Sequence, residues 1–155
     1  MYVFDTSPLS TLFKNYYRAR FPTLWERFDG LVADGRIVST REVLRECTDG
    51  PVESLRLWAE SQQEFFHVPV AAEGGFVAQI YAVPHFQQNI EQKKLLKGGR
   101  NADPFVIAKA ASEGRCVVTM EERKPNAAKI PNICDHFGVQ CASLEEFMER
   151  EGWRF

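Results

Sequence analysis

Carboxylates stand in this 155-residue chain where a strand ends or a helix begins: Asp5, Glu42, Glu46, Asp103 and Glu121. Asp5 follows the apolar run Tyr2-Val3-Phe4. Glu42 and Glu46 lie one helical turn apart after Arg36-Ile37-Val38-Ser39. Asp103 precedes Pro104 at the head of the apolar segment from Phe105 to Ser112, and Glu121 follows the β-branched run from Cys116 to Thr119. Acids held close in a partly desolvated crevice repel one another, so their pKa values rise unless a cation neutralises them. Oxygen-only ligands without a histidine or cysteine cluster favour hard ions, magnesium or manganese over zinc. Such ions bridge phosphate oxygens, lower the pKa of a bound water and stabilise the leaving oxygen of an in-line displacement. That is the chemistry of phosphodiester hydrolysis.

Acids this far apart in sequence meet only if the fold brings them together. In a right-handed parallel α/β layout, the start of a helix and the carboxyl end of the next strand share one edge of the sheet. The local patterns predict such a layout. Asp103-Pro104 reads as an N-cap with proline at the first helical position, and Gly114 as the stop. Asp5-Thr6-Ser7-Pro8 breaks the first strand and reads as a cap for a helix over Pro8 to Phe13, with Leu9, Leu12 and Phe13 on one face. Leu24, Phe28, Leu31 and Val32 repeat at helical spacing and end at Asp34-Gly35. Arg36 to Ser39 is the second strand. Ser39 opens an S-T-R-E capping box that accounts for Glu42 at the third helical position and leaves Glu46, one turn further on the same face, unaccounted for.

Residues 48–98 are mostly helical, with Asp49-Gly50-Pro51, Gly74-Gly75, Pro84 and Gly98-Gly99 as separators and Phe65 to Val70 as a short strand or extended chain. Gly74 to Gly98 reads as an inserted helical hairpin over one side of the sheet. Lys93, Lys94, Lys97 and Arg100 cluster where it returns, as a solvated helix face or as a phosphate-contacting rim. Glu121 to Ile130 is predicted as an exposed loop, Ile133 to Phe137 as a short helix and Val139 to Ala142 as the last strand. Ser143 with Glu146 then forms a capping box for a terminal helix. This alternation describes one α/β domain over residues 1–155 with a mainly parallel sheet.

Composition narrows the class. A chain 45% hydrophobic and 26% charged has ordinary globular usage, which argues against disorder. Its apolar runs are too short for a bilayer and its N-terminus lacks a signal-like core, so a soluble cytoplasmic protein is expected. The net charge of −2 carries no bulk basic character, and a nucleic-acid partner has to be bound by a local patch. Cys47, Cys116, Cys134 and Cys141 lack C-x-x-C spacing and read as reduced thiols. Cys134, His136 and Cys141 lack the second ligand pair of a zinc site. Tyr16, Tyr17 and Trp153 read as core or dimer-contact aromatics rather than base-stacking platforms.

Here the residues carry a resemblance. V-F-D-T-S at the N-terminus, V-x-x-E from Val43 to Glu46, A-D-P-F-V-I-A-K-A and V-V-T-x-E resemble the acidic motifs of the PIN-domain ribonucleases, over essentially the whole chain. N-A-D-P-F-V-I-A together with V-V-T-x-E and K-I-P-N-I-C is similar to a less characterised PIN-like branch. The resemblance implies a PIN-like three-layer α/β/α sandwich with a mainly parallel central sheet and a helical insertion. It also implies a Mg2+- or Mn2+-dependent endoribonuclease, often dimeric, as in the toxins of VapC-type toxin–antitoxin pairs, and often held inactive by a cognate antitoxin.

Carried over by residue, Asp5 matches the first acid, Glu46 the second, Asp103 the third and Glu121 the fourth. Asp5 and Asp103 are then the principal metal ligands, completed by Glu46 and Glu121 directly or through water. Ser7 and Thr119 match small hydroxyl residues that steady water or phosphate, and Glu42 stays open as the second acid. Glu121 departs from the aspartate of many PIN domains, and its longer side chain makes one-metal occupancy credible. Two other readings compete: a phosphatase with Asp5 as nucleophile, which lacks the second aspartate because Ser7 stands there, and a PIN-like module that holds RNA or a protein without cutting.

Overall fold

Val3, Val38 and Val117 sit side by side at the centre of the molecule, all buried, and their pairing sets the sheet. In the computed structural model, residues 1–97 and 101–155 are described, 93–97 by their backbone only. Strand β1 (Tyr2–Phe4) is flanked by β2 (Ile37–Thr40) and β4 (Cys116–Val118). β3 (Phe66–His67) and β5 (Cys141–Ala142) extend the two sides, giving the order β3-β2-β1-β4-β5 with every pairing parallel. A parallel sheet is covered on both faces, which is why the central strands β1 and β4 are continuous apolar runs without polar alternation.

The connections are helical: α1 (Thr6–Asn15), α2 (Pro22–Ala33), α3 (Arg41–Asp49), α4 (Glu53–Ser61), α5 (Ala71–Tyr81), α6 (Gln87–Lys97), α7 (Asp103–Glu113), α8 (Ile130–Phe137) and α9 (Leu144–Arg150). Phe28 of α2 and Phe147 of α9 set their rings edge-on to Phe4, with centroids 6.1 and 5.0 Å away. Edge-to-face contacts continue through Phe13, Trp25, Trp58, Phe65 and Phe66. Such pairs contribute about 0.5–1.5 kcal/mol each beyond their buried area. Helix α7 packs along β1, β2 and β4 with Val106, Ile107 and Ala110 buried, and α5 packs against α7. The α/β/α sandwich with a helical insertion is as expected from the sequence. No helix among the described residues is long and apolar enough to cross a membrane. All four cysteines carry free thiols.

Several element ends differ from expectation, two of them at acids. Strand β2 runs one residue further because Thr40 pairs with His67 of β3. Thr40, not Ser39, is therefore the N-cap of α3, its hydroxyl accepting from the Val43 N–H at 3.3 Å. Ser39 stays in the sheet and donates to the Phe4 carbonyl at 2.6 Å. Glu42 thus falls at the second helical position and closes no capping box. Helix α7 likewise begins at Asp103, with Ala102 as N-cap, so the Asp103 carboxylate is not spent on capping.

Gly74 and Gly75 lie inside α5 rather than between helices. Glycine costs a helix interior roughly 1 kcal/mol relative to alanine, and α5 offsets this by burying Ile80 and by Glu73 accepting from the Val70 N–H at its start. Helix α8 starts at Ile130, earlier than expected, because Pro131 suits its first turn and the Glu121 carboxylate accepts from the Ile130 N–H at 2.9 Å. The preceding loop is not wholly exposed, since Ala128 is buried. The capping box of Ser143 and Glu146 at α9 is present as expected.

Candidate active site

The chain leaves β1 for β2 on one side and returns past β1 to β4 on the other, so the strand order reverses between β1 and β4. In open α/β sheets the crevice outside the carboxyl ends at such a reversal is where ligands bind. Asp5 and Thr119 are the first residues beyond β1 and β4, and the Asp5 N–H donates to the Val118 carbonyl at 3.0 Å. Asp5 occupies the N-cap position of α1, yet its side chain makes no capping hydrogen bond. Its Oδ2 instead accepts from the hydroxyls of Thr119 (3.0 Å) and Ser7 (3.2 Å). Its Oδ1 is buried and has no hydrogen-bond partner.

A carboxylate oxygen in that state is costly unless something compensates for lost water. Burial is the main reason that the Asp5 pKa is pushed up to about 7, and the negative charges of Asp103, Glu121 and Glu46 add to it in that order. Coulombic repulsion falls off with distance, so each of these three acids lies near enough to act on Asp5. Each acid is held from a different element. Glu46, on α3, accepts from the Thr6 hydroxyl at 2.6 Å. Glu121, after β4, accepts from the Ile130 N–H. Asp103, at the start of α7 and 1% exposed, accepts on Oδ2 from the Asn89 amide at 2.9 Å.

Ser7 and Thr119 join the two loops that leave β1 and β4. The Thr119 hydroxyl accepts from the Glu121 N–H at 3.2 Å while donating to Asp5, and the Ser7 hydroxyl accepts from the Met120 N–H at 3.0 Å. One Glu42 oxygen pairs with Arg41 at 3.0 Å, its Oε2 is buried without a hydrogen-bond partner, and it is not among the charges acting most strongly on Asp5. The side chains of Lys97 and its neighbours Lys93 and Lys94, and Arg100, lie outside the described residues.

Two site residues escaped sequence reasoning, Asn89 and Asn101. Asn89 sits in a helix of the insertion and carries no periodic signal. Asn101 does have a signal, since an asparagine two residues before a helix start suits an Asx-turn; its Oδ1 accepts from the Asp103 N–H at 3.2 Å.

The donor set is all oxygen, and the buried Asp5 has an orphaned oxygen, so the residues fit a hard divalent cation. As the side chains stand, no three histidine, cysteine, aspartate or glutamate groups among the described residues are drawn tightly enough together to hold an ion. The other three acids lie within reach of Asp5's charge without forming a closed cage.

A five-stranded parallel sheet between helices, with acids just beyond the carboxyl ends of β1 and β4, makes an α/β/α sandwich whose strand order reverses at the site. The chain itself belongs to the family described as Domain of unknown function (DUF4411), whose model matches residues 2–155. Among solved structures it is similar to the crystal structure of VapBC2 from Rickettsia felis bound to a DNA fragment from their promoter. That likeness has 14% sequence identity and a TM-score of 0.49, covering 92% of this chain and 97% of that one, too distant to carry an argument about activity. No curated protein matches the sequence.

Proposed function

We propose that this PIN-like domain is a metal-dependent endoribonuclease that hydrolyses RNA phosphodiester bonds, acting as the toxin of a toxin–antitoxin pair. The observation that supports this best is Asp5: a buried carboxylate with an orphaned oxygen, facing three further acids at the sheet's ligand-binding edge. Asp5 and Asp103 hold the ion, and Glu46 and Glu121, with their longer side chains, complete its surroundings directly or through water. Bound there, Mg2+ or Mn2+ supplies charge neutralisation at the phosphate and a lowered pKa for water. Thr119 and Ser7 fix the Asp5 carboxylate by donating to one oxygen and leave the other, buried and without a hydrogen-bond partner, for the ion. An antitoxin and a second copy of the chain are the protein partners that this reading carries with it.

The test compares purified wild type with Asp5→Asn and Asp103→Asn on single-stranded RNA, with Mg2+ or Mn2+ and with chelator. Cleavage that needs the ion and is lost in both folded variants supports the reading; undiminished cleavage by either variant refutes it. Co-purification with the product of a neighbouring small open reading frame that suppresses cleavage tests the toxin assignment.

A further inference from the structure

Asn89 lies on α6, in the helical insertion, and is 2% exposed. A buried amide has two N–H donors and a carbonyl acceptor to satisfy, and here each has a partner on a different element. One N–H donates to Asp103 Oδ2 at 2.9 Å and the other to the Ala128 carbonyl, in the loop before α8, at 3.0 Å. The Asn89 Oδ1 accepts from the Asn101 amide at 2.6 Å.

Asn101 completes a circuit. Its second N–H donates to the Tyr81 hydroxyl on α5 at 3.1 Å, and its own Oδ1 takes the Asp103 backbone N–H. The hydrogen bonds therefore leave Asp103 through its backbone, pass through Asn101 and Asn89, and return to its carboxylate. Flipping either amide sets donor against donor or acceptor against acceptor, so the circuit holds Asp103 in one orientation. Asn89 and Asn101 are themselves neutral, so they orient the carboxylate without bringing a positive charge of their own beside the ion. Hydrogen bonds of this kind to a ligating carboxylate tune its aim and its affinity.

We infer that Asn89 is a positioning residue for Asp103, so that the insertion is a working part of the ion site and not only a cover for the sheet. The inference rests on the metal-dependent reading of the site. It implies that variants in the circuit weaken ion binding without removing a ligand, and that enough ion restores the rate.

The test titrates Mn2+ by calorimetry into wild type, Asp103→Asn, Asn89→Leu and Asn101→Ala at one pH, alongside urea unfolding and cleavage rates over a range of Mn2+ concentrations. The expected result is a loss of Mn2+ affinity of about 10- to 100-fold for Asn89→Leu, a smaller loss for Asn101→Ala, and recovery of kcat at saturating Mn2+. A purely structural role lowers stability and leaves the Mn2+ affinity unchanged, and that outcome overturns the inference. Should Asn89→Leu fail to fold, Asn101→Ala, at a half-buried position, decides the matter by the same criterion. If wild type itself takes up no Mn2+, the metal-dependent reading fails and the inference with it; normal uptake by wild type and both circuit variants, with loss only in Asp103→Asn, overturns the inference alone.

Discussion

Replacing Asp5 by asparagine should make the ion-free protein more stable at neutral and alkaline pH, although it removes a residue of the site. The carboxyl titrates at about 7 in the fold against 3.8 for an ordinary aspartate. Between those values the folded chain keeps a proton that the unfolded chain has released. A group of this sign contributes nothing unfavourable below pH 3.8, costs stability progressively as the pH rises, and costs its full amount above 7. A shift of roughly 3 units corresponds to a ceiling on the order of 4 kcal/mol. Asparagine is neutral throughout, and its Oδ1 can still accept from Thr119 and Ser7.

Urea unfolding in chelator at pH 4, 6 and 8 should therefore show Asp5→Asn level with wild type at pH 4 and more stable by about 1–4 kcal/mol at pH 8, with an unchanged m-value. Added Mn2+ should then favour wild type, by about 2.7 kcal/mol at a hundred times its dissociation constant. A variant no more stable than wild type at pH 8 in chelator would refute the account of Asp5 as a strained, charge-crowded acid.

Two further perturbations separate scaffold from site. Lys109 is 3% exposed, hydrogen-bonded to Glu113 and 4.0 Å from the buried Glu73. Lys109→Met should destabilise the fold by about 3 kcal/mol by leaving a buried acid uncompensated, without changing Mn2+ affinity; adding Glu73→Leu should recover part of it in urea unfolding. Thr119→Val removes the donor to Asp5 and the acceptor for the Glu121 N–H, and should lower cleavage about tenfold. Thr119→Ser should retain cleavage, and equal rates for the two substitutions would show that the hydroxyl is idle.

The strands and most of the helices were legible because their signals are local. Cys116 to Val118 announces a buried parallel strand by its side chains alone, and Gly114, left-handed at φ +65, stops α7 where an L side chain would be strained. The edge positions of Asp5, Asp103 and Glu121 followed from the alternation of helix and strand. Glu42 was misjudged by a single residue: pairing of Thr40 with β3 lengthened β2, and a partner strand 27 residues away leaves no mark on S-T-R-E. Gly74-Gly75 misled for a similar reason, since tertiary packing of α5 on α7 outweighs a weak propensity.

The order of residues determined by itself that this chain builds a parallel α/β sandwich and carries its acids to one edge, because apolar period, capping chemistry and strand–helix alternation act over a few neighbours. Only the tertiary structure decided which acids are freed from helix caps, which share a field with Asp5, and that an amide from the insertion takes hold of Asp103. Burial and electrostatic repulsion are sums over groups distant in the chain, and those sums have values only once the chain is folded.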